Sequence, residues 1–244
     1  VGNITISRKG YHYYLSLRGR KDYDDMIIPS ITGSAPNATV YFDQNMMKMR
    51  GVESFYISDS LDVIISPDNK EISILKNRSI QFDGSMYAGN IQFMGEQITF
   101  QYDSFLVDLP KIDSIRLLVT LENGNRKRLD NQLVETSGTL YINEKNNKSG
   151  IRSFPRFPIF NSSRSAMVYF NKPAILESAY DSTVFFTIPP FELDSAADAD
   201  PSTLVFDGTF TSGGIFPDFE EQLVANPDNS MGFLHTIPIE GYSL

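Results

Sequence analysis

Residues 82–100 read FDGSMYAGNIQFMGEQITF and combine the patterns of strands and turns. Apolar and polar side chains alternate in Ile91-Gln92-Phe93 and in Ile98-Thr99-Phe100, which is typical of β-strands with one buried face. Asp83-Gly84 is expected to form a turn or bulge in which the glycine takes a positive φ, and Gly89 to form a second turn. The stretch therefore predicts short strands that are joined by tight turns.

The same pattern extends over the rest of the chain. Residues 11–18 alternate with period two, and residues 114–121 form a more continuous apolar run that we expect to be buried on both faces. Gly, Pro, Asn and Asp separate such runs about every ten residues, which is the spacing of an all-β protein. The helical candidates are residues 217–223, with Pro217 in the first position, and, more weakly, residues 43–49. We therefore predict an all-β fold with very little helix.

The opening motif recurs later in the chain, because Phe206-Asp207-Gly208 is followed by Gly213 just as Phe82-Asp83-Gly84 is followed by Gly89. Three further landmarks recur in the same order: residues 38–43 with 166–171, residues 53–56 with 177–180, and Asp59-Ser60 before Pro67 with Asp181-Ser182 before Pro189. Self-similarity at a nearly constant offset is the signature of a duplicated structural unit.

The repeat divides the chain into four predicted regions. They are a leading strand region (1–35), a first β repeat unit (36–118), a hairpin and connector (119–158) and a second repeat unit that we expect to be truncated (159–244). Asn123-Gly124 is the expected hairpin tip, and the basic cluster Arg126-Lys127-Arg128 is interpreted as its solvated flank. An elongated, solenoid-like stack of units is favoured over β-sandwiches, and both stay open.

Composition excludes several classes of function. Among 244 residues there are no Cys, no Trp and two His, which rules out disulfide frameworks, zinc fingers, iron–sulfur sites and thiol catalysis. The net charge of −9 disfavours nucleic acids and anionic membranes as partners, since both would be repelled. No apolar run is long enough for a transmembrane helix. The chain begins at Val1, so we expect a processed product or a piece of a longer protein.

Catalytic motifs are absent from the sequence. It contains no G-x-S-x-G, Walker A, G-x-G-x-x-G or H-E-x-x-H pattern. His12 and His235 are the only imidazoles, and both are interpreted as structural or surface residues. A pair of acids in a glycosidase arrangement is compatible with 30 Asp and Glu but cannot be assigned. We predict that the protein is not an enzyme and holds no cofactor.

Calcium is the one metal for which the sequence offers candidates. Asp194, Asp198 and Asp200 bunch three carboxylates in one short segment, and Ca²⁺ prefers oxygen ligands. The segment lacks the spacing and the central glycine of an EF-hand. These three residues are therefore weak calcium candidates, and a solvated acidic turn is the simpler interpretation.

A resemblance covers about half of the chain, from residue 140 to residue 244. It rests on Asn146-Asn147-Lys148-Ser149-Gly150, Phe157-Pro158-Ile159-Phe160 and the stretch TSGGIFPDF at residues 211–219. These stretches of sequence resemble segments of long, repetitive exported proteins of unknown function from Bacteroidetes-type bacteria. The resemblance implies an exported location, in the cell envelope or secreted, and a piece of a longer chain. It implies no activity.

Three functions remain as hypotheses. The first is a non-catalytic structural, adhesive or surface-interaction module of a larger exported protein, with a glycan or a cell-surface protein as its partner. The second is a carbohydrate-binding module, which predicts exposed Tyr or Phe rings aligned on one face. The third is an envelope element that handles lipid, which predicts a continuous apolar groove between strands.

Overall fold

The computed structural model describes residues 2–9, 23–120, 126–171, 180–194, 204–236 and 241. These residues form an all-β protein of antiparallel strands with two short 3-10 turns, Asp68–Lys70 and Lys76–Arg78, which confirms the predicted fold class. The strands are β1 Gly2–Lys9, β2 Tyr23–Ser30, β3 Ala38–Tyr41, β4 Met46–Arg50, β5 Phe55–Ser58, β6 Val63–Pro67, β7 Glu71–Ile74, β8 Ile80–Ala88, β9 Ile91–Gln101, β10 Leu106–Thr120, β11 Arg126–Arg128, β12 Leu133–Tyr141, β13 Ile159–Ser162, β14 Ala166–Tyr169, β15 Val184–Ile188, β16 Glu192–Leu193, β17 Val205–Ser212, β18 Phe219–Ala225 and β19 Met231–Gly232. Residues 11–18, His12 and the turn Asn123-Gly124 lie outside the described residues.

The strands form two antiparallel sheets that share four long strands. The first sheet has the order β3-β4-β7-β8-β9-β10-β12-β13-β16. The second has the order β5-β6-β8-β9-β10-β12-β14-β15-β17-β18-β19. One half of each of β8, β9, β10 and β12 pairs in one sheet and the other half in the second. β11 pairs with the end of β10, and β1 and β2 form a separate hairpin.

Register shifts bend the shared strands where they pass from one sheet to the other. The β8–β9 pairing shifts between Phe82 and Gly84, and β10 shifts against its neighbours between Leu109 and Ser114. An extra residue in one strand bends it and increases its twist, so such bulges form the corners of packed sheets. Gly84 has a φ of 140°, so the prediction of a positive-φ glycine in a bulge is confirmed there.

The inner face of each sheet is a row of directly paired apolar residues. In the first sheet the row is Met47, Ile74, Ile80, Phe100, Val107, Leu140, Phe160 and Leu193, and Val40 continues it on the edge strand β3, where it is exposed. In the second sheet the paired residues include Phe55, Ile65, Met86, Phe93, Ile115 and Leu133, and then Val168, Phe186, Phe210 and Phe219. Phe93 and Phe160 join the two rows, with ring centroids 4.9 Å apart. The two inner faces therefore enclose one common core.

The two predicted repeat units match in one part and differ in another. Gly89 and Gly213 both follow a strand directly and both have positive φ, at 58° and 68°. The strands that precede these glycines, β8 and β17, each pair with the next strand of the chain, β9 and β18. In contrast, β3 pairs with β4 alone among the described strands, whereas β14 pairs with both β12 and β15. The pairings do not confirm an elongated stack of units.

Several local predictions are wrong. Residues 219–225 form β18 and residues 46–50 form β4, although the overlapping segments 217–223 and 43–49 were predicted as helical. The burial of β18 alternates, with Glu220 and Gln222 exposed and Leu223 buried, so pairing with β17 prevails over local helical propensity. Gly208 lies within a regular ladder without a positive φ, unlike Gly84.

Within the described part of the chain there is no helix with the length and apolar character needed to span a membrane.

Candidate functional site

The outer face of the second sheet carries a row of aromatic, amide and guanidinium side chains, which we call the aromatic face. Directly paired residues on five neighbouring strands form its first part: Tyr56, Ile64, Tyr87, Gln92 and Arg116. Arg116 Nε then donates to Gln132 Oε1 at 3.2 Å, and Tyr169, Phe185 and Thr211 continue the row on β14, β15 and β17. Adjacent strands lie about 4.8 Å apart, so Tyr87 and Arg116 are about 10 Å apart along the row.

A shallow cleft of about 320 Å³ opens at the β5 end of the aromatic face. Its walls include Ile27 and Pro29 of β2 and Tyr56 of β5. Residues 26–30 alternate, so that Met26, Ile28 and Ser30 are buried while Ile27 and Pro29 point outward. Tyr56 is 46% exposed and Ile27 is 52% exposed, which makes this cleft an apolar, accessible pocket with an aromatic wall.

Two arginines and two glutamines occupy the middle of the aromatic face. Gln92 is only 6% exposed and lies directly opposite Arg116 in the β9–β10 ladder. Arg128 Nη2 donates to Gln92 Oε1 at 3.3 Å, from the strand that pairs with the end of β10. A buried amide that accepts from a guanidinium fixes the position of that guanidinium.

Two further rings lie at the other end of the aromatic face. Tyr169 and Phe185 are directly paired, and their ring centroids are 5.9 Å apart. The Tyr169 hydroxyl donates to Glu135 Oε1 at 3.2 Å. Burial, together with the nearby Glu135 carboxylate, raises the pKa of the Tyr169 phenol, so this hydroxyl stays protonated and remains a donor at neutral pH.

The outer face of the first sheet is polar, and ion pairs join several of its charged residues. Its central row of directly paired residues is Thr39, Lys48, Ser73, Gln81, Thr99, Asp108, Thr139, Asn161 and Glu192. Glu71 forms two ion pairs: Lys48 Nζ lies 2.5 Å from its Oε2, and Arg50 Nε lies 3.1 Å from its Oε1. Because these charges already have partners, this face is the poorer candidate for ligand recognition.

The paired charges at Glu71 predict a pH dependence of stability. Hydrogen bonding to Lys48, with a smaller contribution from Arg50, lowers the pKa of Glu71 from 4.5. A carboxyl whose pKa is lowered by folding stabilises the native state above its unfolded pKa, and this contribution is lost as pH falls through the folded value. Glu71→Gln is therefore expected to be less stable than the wild type at about pH 7, and the difference is expected to shrink as pH falls from about 5 toward 3, as measured by urea unfolding.

The control for this measurement is Glu144→Gln, which removes an exposed carboxylate and leaves Glu71 in place. It is expected to keep the wild-type dependence on pH. A constant difference between the wild type and Glu71→Gln at both pH values would contradict the assignment.

Of the three calcium candidates, Asp194 lies in the described part of the chain. Asp194 Oδ2 lies 3.3 Å from Arg156 Nε, and the same guanidinium contacts Glu192 at 2.9 Å, so the Asp194 carboxylate has a cation already. Asp198 and Asp200 lie outside the described residues. No cluster of metal-ligating side chains is found in the part of the chain that the structure describes.

His235 occupies a structural position. Its ring stacks on Phe219 at 3.7 Å, and its Nδ1 lies 2.8 Å from Glu221 Oε1. The hydrogen bond with His235 lowers the pKa of Glu221. Stacking and pairing of this kind agree with the interpretation of this histidine as a structural residue.

The Phe-Asp-Gly motifs each border a polar cleft. Asp83 Oδ1 accepts from the backbone N–H of Gln97 at 2.7 Å, and Asp207 Oδ1 accepts from Gln222 Nε2 at 2.8 Å. Each aspartate therefore accepts a hydrogen bond from the next strand of the chain, β9 for Asp83 and β18 for Asp207, which agrees with a scaffold role for the motif.

Sequence reasoning missed most of the aromatic face. Arg116 was hidden in the apolar run 114–121, which was expected to be buried on both faces and instead alternates, with Ile115 and Leu117 buried and Arg116 partly exposed. Arg128 was interpreted as part of a solvated turn. The period-two pattern shows which residues share one face of a strand, but only the pairing register shows which strands are neighbours.

Comparison of the chain with protein-family models, with curated proteins and with solved structures finds no match.

Proposed function

We propose that the protein is a non-catalytic surface-interaction module of an exported protein, and that it binds carbohydrate through the aromatic face. The observation that carries the proposal is the row of Tyr56, Tyr87, Tyr169 and Phe185 on one outer face, with amide and guanidinium groups between the rings. An adhesive role follows if the carbohydrate belongs to a surface.

The chemistry of this row suits a sugar chain. Sugar rings present an apolar face, which packs on an aromatic ring, and hydroxyls at the rim, which need hydrogen-bond partners. Tyrosine supplies both an apolar ring and a polar tip, and the amide of Gln132 and the guanidinium of Arg116 supply donors and acceptors beside it. The β-sheet holds these groups on rigid strands, which limits the conformational entropy lost on binding.

The described residues favour carbohydrate over lipid. The space between the sheets is filled by side chains such as Phe93, Phe100 and Phe160, each fully buried. The clefts beside Asp83 and Asp207 are both lined by charged side chains, which disfavour an acyl chain.

Tyr56→Ala tests the proposal directly. We expect this variant to bind a polysaccharide about tenfold more weakly than the wild type, because it removes the exposed ring from the cleft beside Ile27 and Pro29. Affinity electrophoresis against a panel of neutral and acidic polysaccharides, followed by calorimetry on those that retard the protein, measures the loss.

The matched control is Tyr141→Ala. Tyr141 is 40% exposed and lies on β12 in the half that pairs in the first sheet, so the variant removes a comparable ring from a different face. It is expected to bind as the wild type does. The proposal fails if no polysaccharide of the panel binds, or if Tyr141→Ala weakens binding as much as Tyr56→Ala.

A further inference from the structure

The two arginines of the aromatic face, Arg116 and Arg128, have different partners from Arg50, Arg78 and Arg156. Each donates one hydrogen bond to a glutamine amide oxygen, and neither forms an ion pair in the described part of the chain. In contrast, Arg50, Arg78 and Arg156 each contact a carboxylate within 3.1 Å. A neutral amide oxygen orients a guanidinium without compensating its charge.

The geometry brings both guanidinium groups to the same part of the face. Gln92 lies directly opposite Arg116 in the ladder, and the same Gln92 accepts from Arg128. A guanidinium has five N–H donors in a rigid fork that matches carboxylate and sulfate oxygens. One donor of each side chain bonds to a glutamine, and among the described residues no carboxylate is paired with the remaining donors, which could bind an anion placed between the rings.

We propose that the ligand of the aromatic face is an anionic polysaccharide, with carboxylate or sulfate groups bound by Arg116 and Arg128. This inference rests on the proposed carbohydrate binding and adds the chemical class of the sugar. The sugar rings would lie over the tyrosines on either side of the arginine pair. The net charge of −9 opposes such binding at long range, but charges farther away than about 8 Å are largely screened at physiological ionic strength, so the local arginine pair can prevail.

The test uses the full chain and two matched pairs of polymers: polygalacturonate with its methyl ester, and dextran sulfate with dextran. We expect the protein to bind at least one acidic polymer about tenfold or more tightly than its neutral partner, and to lose affinity as NaCl is raised. The pair that shows the preference identifies carboxylate or sulfate as the anion. Replacing both arginines, Arg116→Gln with Arg128→Gln, is expected to abolish the preference.

Arg164→Gln is the control, since it removes one exposed positive charge from the turn between β13 and β14 and is expected to keep the preference. Circular dichroism of the double variant verifies its fold, and if that variant does not fold, the polymer pairs and the salt series on the wild type still decide the proposal.

Three results would overturn the inference. Equal, Tyr56-dependent binding of acidic and neutral polymers would refute the anionic class while leaving carbohydrate binding intact. Failure of all four polymers to bind would refute the anionic class, and carbohydrate binding itself would be refuted only if no polysaccharide of the wider panel bound either. Tighter binding of poly-L-glutamate than of either acidic polysaccharide would show that the arginine pair recognises an acidic peptide instead.

Discussion

Phe160→Ala is expected to lower the free energy of unfolding by about 3–5 kcal/mol. Phe160 is fully buried on β13, and its ring contacts Phe93 at 4.9 Å and Phe191 at 5.9 Å. Phe93 lies in the inner row of the second sheet, so the substitution opens a cavity where the two sheets meet. Urea unfolding followed by tyrosine fluorescence measures the loss.

Phe42→Ala provides the matched control for Phe160→Ala. Phe42 is 87% exposed, directly after the edge strand β3, and its truncation is expected to change stability by less than about 0.5 kcal/mol. A loss of less than about 1 kcal/mol for Phe160→Ala would show that the two sheets do not share one core.

Gly84→Ala is expected to destabilise the protein by about 3 kcal/mol, through two independent effects. Its φ of 140° is a conformation that residues with a Cβ rarely adopt. A Cβ at this position would also lie 2.6 Å from the carbonyl oxygen of Ser66 and from the backbone nitrogen of Asp68. Since Gly84 forms the bulge of β8, the change strains the corner between the two sheets, and thermal unfolding would report it as a lower Tm.

The control for Gly84→Ala is Gly33→Ala, where a Cβ would meet nothing within 4 Å and φ is not positive. This variant is expected to be neutral or to gain up to about 1 kcal/mol, because alanine reduces the entropy of the unfolded chain. Equal Tm values for Gly84→Ala and the wild type would contradict the assigned bulge.

The fold class could be predicted because strand periodicity is local. Around Ile91-Gln92-Phe93, the alternation of apolar and polar residues predicts a strand, and it also predicts on which face of the sheet each residue lies. The bulge at Gly84 was also accessible, since Asp-Gly favours such a conformation. For Gly208 the same dipeptide wrongly predicted a positive φ. This glycine lies in a regular ladder, where Phe186 of the neighbouring β15 occupies the space that a Cβ would need.

The candidate site could not be predicted because it depends on long-range register. Tyr56, Tyr87 and Arg116 are far apart in the chain, and only the order β5-β6-β8-β9-β10 places them in one row. The expectation of aligned rings in a carbohydrate-binding module was a general one, without assigned residues. Arg116 gave no sequence signal and Arg128 was interpreted as part of a solvated turn, because the partners of a basic residue are set by the fold.

Binding of carbohydrate to the aromatic face can be observed residue by residue by NMR of the tyrosine-labelled full chain. The protein has 12 tyrosines, and substitution with phenylalanine assigns the resonances of Tyr56, Tyr87 and Tyr141. On titration with oligosaccharides from the polymer that binds best, we expect shifts at Tyr56 and Tyr87 and none at Tyr141. Shifts at Tyr141 with Tyr56 and Tyr87 unchanged would contradict it.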